Sequence, residues 1–189
     1  MNYYRILKYD TANGPGIRTT IWFTGCIFHC SDCFNSEIRD FKAGKLFDEK
    51  AKEELFSYLN DSHTTGLSVL GGEPLAQDIE LANLLKEVKE THSDKNIWMW
   101  TGFQLKDIMN MEEDKKEHYL SYIRNVDYLV DGPFEKDNTK YHTRFRGSSN
   151  QIIWHIHEKD NQLIAENVSH SFDEHTEDYE EIKETIVIR

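Results

Sequence analysis

Three cysteines, Cys26, Cys30 and Cys33, fall within the ten residues GCIFHCSDCF, and the chain of 189 residues has no other. Thiols grouped this tightly admit three chemistries. A disulfide framework needs an even count and an oxidising compartment. The count is odd, and the opening MNYYRILKYD lacks the apolar stretch of a secretory signal, so a cytoplasmic location is expected. Structural zinc needs four ligands in a closed tetrahedron. The chain has nine histidines and His29 sits inside the loop, so a Cys3His site is possible; but His29 adjoins Cys30, a poor spacing for joining one tetrahedron, and an exposed loop side chain is the better reading. Iron–sulfur clusters are held by thiolates, and a fully ligated 4Fe–4S cluster takes four. Three leave one iron open, and an open position on a catalytic metal is where a substrate binds. The missing fourth cysteine is then the informative feature.

Further unusual segments follow candidate strands. GGEP, Gly71 to Pro74, offers glycines that let backbone approach a ligand, and Glu73 or free carbonyls could accept from an ammonium group. TGF (101–103) and DGPF (131–134) are the other two. The strands themselves read as IRTTIWF (17–23), GLSVL (66–70), NIWMW (96–100) and VDYLV (126–130). Between them, helical spacing places helices over 48–60, 78–90 and 104–124, the last broken near Asn110. Strands alternating with helices imply βαβ units, a parallel sheet and one rim that gathers the loops after the strands. Four such strands are too few for an eight-stranded barrel, so the expected fold is α/β: a partial (βα) barrel, mainly parallel. NGPGIRTT (13–20) reads as a turn feeding the first strand, with Arg18 facing solvent or a partner.

Hydrophobic residues at 38% and charged residues at 30% suit a soluble globular chain, and no apolar run approaches a membrane span. The net charge of −12 argues against nonspecific binding to nucleic acid or anionic membranes.

The C-x3-C-x2-C loop after an early strand, followed by GGEP at the next strand end, resembles the radical S-adenosylmethionine (SAM) superfamily. Asp32 stands where the superfamily usually has an aromatic, and Phe34 follows, as in the glycyl-radical activating enzymes. GPGIR, WMWTGF (98–103), LVDGPF (129–134) and RFRGSSNQ (144–151) also resemble that family, in the branch that activates anaerobic ribonucleoside-triphosphate reductase. The resemblance implies a radical-SAM fold and a 4Fe–4S cluster on Cys26, Cys30 and Cys33, with SAM on the fourth iron. It implies cofactor contacts at Asp32, Cys33, Phe34, Gly71, Gly72, Glu73 and Pro74, and no acid–base catalytic residue. It further implies a one-electron donor such as flavodoxin, and as partner the large subunit of the reductase, on which a glycyl radical is made. No nucleic-acid or membrane partner is expected.

The resemblance runs from Met1 to about His157, giving an activase domain over 1–157 and an acidic extension over 158–189, packed on or trailing from it. IIWHIH and QLIAEN flank EKDN as a candidate hairpin. His155, His157, His170 and His175 read as solvated side chains before metal ligands. Trp98 and Trp100 read as core or wall, Asp131 as a turn cap, and Arg144 and Arg146 as exposed, Arg146 in a docking segment for the partner. Two rival functions stay open: another radical-SAM enzyme, and a non-enzymatic iron–sulfur carrier or sensor.

Overall fold

In the computed structural model of the chain, which describes residues 1–141, 143–173 and 184–189, β1 (Asn2–Asp10) and β2 (Arg18–Phe23) pair antiparallel across a turn-rich loop. A two-residue strand, β3 (Lys45–Leu46), borders β1. The chain then runs through α1 (Glu49–Leu59), β4 (Gly66–Gly71), α2 (Glu80–Thr91), β5 (Asn96–Trp100), α3 (Leu105–Met109), α4 (Glu113–Ile123) and β6 (Tyr128–Asp131). β2, β4, β5 and β6 lie side by side and parallel. β7 (Ile152–Lys159), β8 (Gln162–Asn167) and β9 (Thr185–Val187) extend the sheet antiparallel, in the order β3-β1-β2-β4-β5-β6-β7-β8-β9.

The helices sit where the apolar spacing puts them. Asp48 caps α1 by accepting from the Ala51 N–H at 3.0 Å, and Ala51, Leu55 and Leu59 form its buried stripe. α2 buries Leu81, Leu84, Leu85 and Val88. All four helices feed one apolar core with Ile21, Phe23, Leu67, Val69, Ile97, Met99 and Leu129 of the parallel strands. Alternate strand residues point the other way, where Trp22, Leu70, Trp98, Val130 and Ile153 gather.

The expected partial (βα) barrel with a mainly parallel sheet is corrected. The sheet has nine strands, and five of its eight pairings are antiparallel. A parallel neighbour needs a long crossover, usually a helix. Between β6 and β7 the described chain makes only one short 3-10 turn, Lys136–Asn138, so β7 returns antiparallel. β7 and β8 close through Asp160 and Asn161, both at positive φ (51° and 61°), the left-handed pair that a tight hairpin requires. β1 went unread because its pattern does not alternate: Tyr3 is buried, while Tyr4, Arg5 and Leu7 are exposed.

Residue 158 lies inside β7, and β8 and β9 continue the same sheet. Ile164 and Ile188 are buried at 4% and 6% exposure. Each such side chain contributes about 1.5–3 kcal/mol, a sizeable share of the roughly 5–15 kcal/mol that holds a domain together. Truncation after Asn161 is therefore expected to lower the melting temperature sharply and to cause aggregation through the bared β7 edge. Thermal unfolding followed by circular dichroism checks this; an unchanged melting temperature would show that the C-terminal strands are dispensable.

Candidate functional site

The loop after β2 carries the cysteines. Its backbone is pinned by Gly25 N–H to the Ile38 carbonyl (2.8 Å) and Cys26 N–H to the Arg39 carbonyl (2.9 Å). The Arg39 guanidinium returns to the Cys30 carbonyl at 2.6 Å, and Asn35 Nδ2 donates to the Gly71 carbonyl at 2.9 Å. All three cysteines are half-buried and line one cavity of about 420 Å³. The Phe28 N–H donates to Cys26 Sγ at 3.4 Å, and burial pushes the Cys26 thiol up to about 11.

Among the described residues, no three His, Cys, Asp or Glu side chains converge closely enough to hold a single metal ion. His29 is exposed and does not line the cavity, so the zinc reading gains no fourth ligand. Thiolates on separate irons stand farther apart than ligands of one ion. Three thiols around a cavity, one of them already accepting an N–H, therefore suit a cluster.

The other walls come from the loops that follow β4, β5 and β6, so the parallel strands do share one working rim. Of the expected cofactor-contacting residues, Cys33, Phe34, Gly71, Gly72 and Glu73 line the cavity, while Asp32 and Pro74 do not. Asp32 sits at φ 56° and pairs with Lys136 at 3.0 Å. Phe34, 81% exposed, leans on Phe134 with ring centroids 5.1 Å apart. Pro74 opens a buried 3-10 turn.

Glu73 is fully buried. Its Oε1 accepts from the Leu75 N–H (2.9 Å) and Thr101 Oγ1 (2.7 Å), and its Oε2 accepts from the Gly102 N–H (2.8 Å). Burial pushes its carboxyl up to about 7, against the pull of those three donors. Asp131 is likewise buried and pushed up to about 6; its Oδ2 takes the Leu105 N–H at 2.6 Å, so it caps α3. Trp22, Leu70 and Trp100 form an apolar wall of the cavity.

Two arginines lie elsewhere than expected. Arg18 does not face solvent: it is wholly buried, with Nε on Ser68 Oγ (2.6 Å), Nη1 on Asn96 Oδ1 (2.8 Å) and Nη2 on the Leu67 carbonyl (2.6 Å). Arg146 is no exposed docking residue either. Its side chain is 2% exposed, donates to the Gln151 carbonyl at 2.9 Å and forms an ion pair with the buried Asp173. Arg144 is exposed, its guanidinium over the Phe145 ring at 5.5 Å. His155 and His157 stack on each other, His170 is half-buried, and His175 lies outside the described residues. Sequence reasoning missed Gln151 as a tie. Its side chain accepts from the Gly147 N–H and donates to the Gly132 carbonyl, locking RGSSNQ to DGPF. Its only signal was its place in that segment.

Among the described residues no helix is long and apolar enough to cross a membrane. A family model described as a 4Fe-4S single cluster domain matches residues 12–154. The anaerobic ribonucleoside-triphosphate reductase-activating protein of Enterobacteria phage T4 is 37% identical over 156 residues, which cover 82% of this chain and 94% of that protein. Its counterpart in Pasteurella multocida (strain Pm70) is 38% identical over 159 residues, 82% of this chain and 97% of that one. The Escherichia coli (strain K12) counterpart is 31% identical over 160 residues, 82% and 99%. With its three thiols on one cavity and a match across four-fifths of its length, the chain belongs to the family of anaerobic ribonucleoside-triphosphate reductase-activating proteins, built on a 4Fe-4S single cluster domain.

Proposed function

We propose that this chain activates an anaerobic ribonucleoside-triphosphate reductase by making a glycyl radical on its large subunit. Cys26, Cys30 and Cys33 hold a 4Fe–4S cluster whose open iron takes SAM. The observation that carries the reading is the cavity itself: all the thiols of the chain share it with the Gly71–Gly72–Glu73 turn. When bound, the cluster and SAM supply one-electron cleavage of the sulfonium and a carbon radical that takes a hydrogen atom from glycine. The electron comes from a small donor such as flavodoxin, in the cytoplasm.

The protein's own part is binding, orientation and exclusion of water. The Glu73 carboxylate already serves three donors and the Gly71 carbonyl takes Asn35 Nδ2, so a SAM ammonium falls to the Gly72 carbonyl and the second lone pair of the Gly71 carbonyl. The Trp22, Leu70 and Trp100 wall keeps water from a reactive radical. Asp32 and Pro74 act indirectly, Asp32 by tethering the cysteine loop to Lys136 and Pro74 by fixing the turn after Glu73. The test is anaerobic reconstitution with SAM, reductant and the large reductase subunit, reading 5′-deoxyadenosine and the glycyl radical by electron paramagnetic resonance. A cluster-loaded protein whose spectrum ignores SAM would favour the electron-carrier reading instead.

Cys26→Ala, Cys30→Ala and Cys33→Ala are each expected to abolish SAM cleavage, because three thiolates are already the minimum. His29→Ala is expected to keep its iron; 5′-deoxyadenosine formation checks the first and iron analysis of the reconstituted variants the second.

Glu73→Ala strands three donors, at about 1–3 kcal/mol for each left unpaired. The rim loops then separate, so SAM affinity is expected to fall along with the melting temperature. Calorimetric titration and thermal unfolding measure the two; unaltered SAM affinity in a destabilised protein would contradict the bracing role.

Arg146→Glu sets a carboxylate against Asp173. Breaking a buried pair costs about 3–5 kcal/mol. Glycyl radical yield and partner-free 5′-deoxyadenosine are expected to fall together. A loss confined to the radical yield would return Arg146 to the partner interface.

A further inference from the structure

A row of rings crosses the sheet face opposite the helices. Trp98 on β5 pairs in register with Tyr128 on β6, which pairs with His155 on β7. Trp98 and Tyr128 stack with centroids 4.6 Å apart and planes 20° apart; Tyr128 and His155 stack at 4.8 Å and 18°. His157 continues the stack beyond His155 at 4.4 Å. In the other direction Trp98 meets Trp100 at 5.7 Å, and Trp100 lines the cavity of the three cysteines. Five rings in succession thus lead from the cavity wall to the partly exposed His157 on β7.

Cross-strand aromatic pairs stabilise a sheet unaided. Two features go beyond packing. Trp98 is wholly buried and its Nε1–H finds no acceptor among the described residues, a cost that phenylalanine in the same place would avoid. The rings are also ordered by how they hold their protons. Trp100 Nε1–H donates to the Phe145 carbonyl at 2.8 Å, which is too weak a base to take the proton, and Trp98 has no acceptor among the described residues. An indole oxidised at either position keeps its proton and stays strongly oxidising. Tyr128, partly exposed like Trp100, is the one phenol in the row, and an oxidised phenol gives up its proton to water far more readily than an indole. The oxidising equivalent therefore comes to rest on Tyr128.

We propose that Trp100, Trp98 and Tyr128 form a hole-transfer path that drains an oxidising equivalent from the cavity when a radical formed there finds no substrate. The inference rests on the reading of the cavity as a radical-generating site. A carbon-centred radical in the cavity takes one electron from Trp100 and one proton from water, forming a C–H bond. Trp98 refills Trp100, Tyr128 refills Trp98, and Tyr128 releases its phenolic proton to water and becomes a neutral tyrosyl radical. A soluble thiol then returns one hydrogen atom to Tyr128 and becomes a thiyl radical. The net change is one hydrogen atom moved from thiol to carbon.

The test needs neither cluster nor SAM. In the full-length chain, Cys26→Ser and Cys30→Ser leave Cys33 as the only thiol, to which a ruthenium polypyridyl photo-oxidant is tethered. After a flash with an oxidative quencher, freeze-trapped radicals are read by electron paramagnetic resonance. A tyrosyl radical is expected, lost in Tyr128→Phe and lost also in Trp98→Phe, which keeps Tyr128 but interrupts the relay. Trp98→Phe removes the buried N–H together with part of the indole's volume, and circular dichroism checks that the fold survives; Trp100→Phe cuts the path at a second point and is expected to behave alike. An undiminished tyrosyl signal in Tyr128→Phe, or in both tryptophan variants, would overturn the path. Absence of 5′-deoxyadenosine from the reconstituted wild-type protein is the separate failure of the radical-generating reading.

Discussion

Glu73 is where the loops of the rim meet. Its N–H donates to the Gly25 carbonyl at 2.8 Å, fastening the cysteine loop to the end of β4. Its side chain takes Thr101 Oγ1 and the Gly102 N–H, fastening the loop after β5 to the same point. Three rim loops therefore move as one body. The junction is tight enough to dictate its neighbours: a Cβ on Gly72 would stand 2.0 Å from the Gly25 carbonyl oxygen, and Gly71 holds φ 126°. Glutamine could not replace the acid here, since its amide nitrogen would face the Gly102 N–H donor to donor. The carboxylate's elevated pKa measures how costly its burial is, and its three hydrogen bonds are the compensation.

The loop before β2 is placed by a second buried charge. Arg18 has no carboxylate in contact; every polar arm ends on a neutral acceptor. Burial lowers it to about 10, so it stays protonated at neutral pH, in the field of Asp127 and Asp10. Ser68, which accepts from Arg18, donates on to the Asn13 carbonyl at 2.5 Å, and Asn13 lines the cavity. The guanidinium thus reaches the site through one serine. Lysine could not copy this, because one ammonium cannot span acceptors on two strands and a loop.

What the sequence made legible was local. Cysteine spacing, the GGEP turn, helix stripes and the four parallel strands are each encoded within a few residues of themselves. What stayed hidden depends on distant partners. Arg18 looked exposed because Ser68 and Asn96 lie 50 and 78 residues away. Arg146 looked like a docking charge because Asp173 lies 27 residues on, past a hairpin. The antiparallel majority of the sheet arises from β1, whose faces do not alternate, and from β7 to β9, which lie largely beyond the family motifs. Strand direction follows from what connects two strands, and the described chain between β6 and β7 makes only the short turn at Lys136–Asn138.

The two faces of the sheet divide the work. On one, four helices bury mainly leucines, isoleucines and valines, with few polar groups to satisfy, and this face supplies most of the cohesion. The other face and its rim carry what cohesion alone would exclude: the buried Arg18 guanidinium, the buried Glu73 carboxyl, the buried Trp98 indole and half-buried thiols. Each is costly to bury, and none would persist in a domain that relied on that face for its stability. The strands make the arrangement possible, because alternation lets Ile21 and Phe23 serve the core while Trp22 between them serves the cavity. A substitution that loosens the helical face therefore endangers the site without touching it, since the reserve that holds Glu73, Arg18 and Trp98 in place lies there.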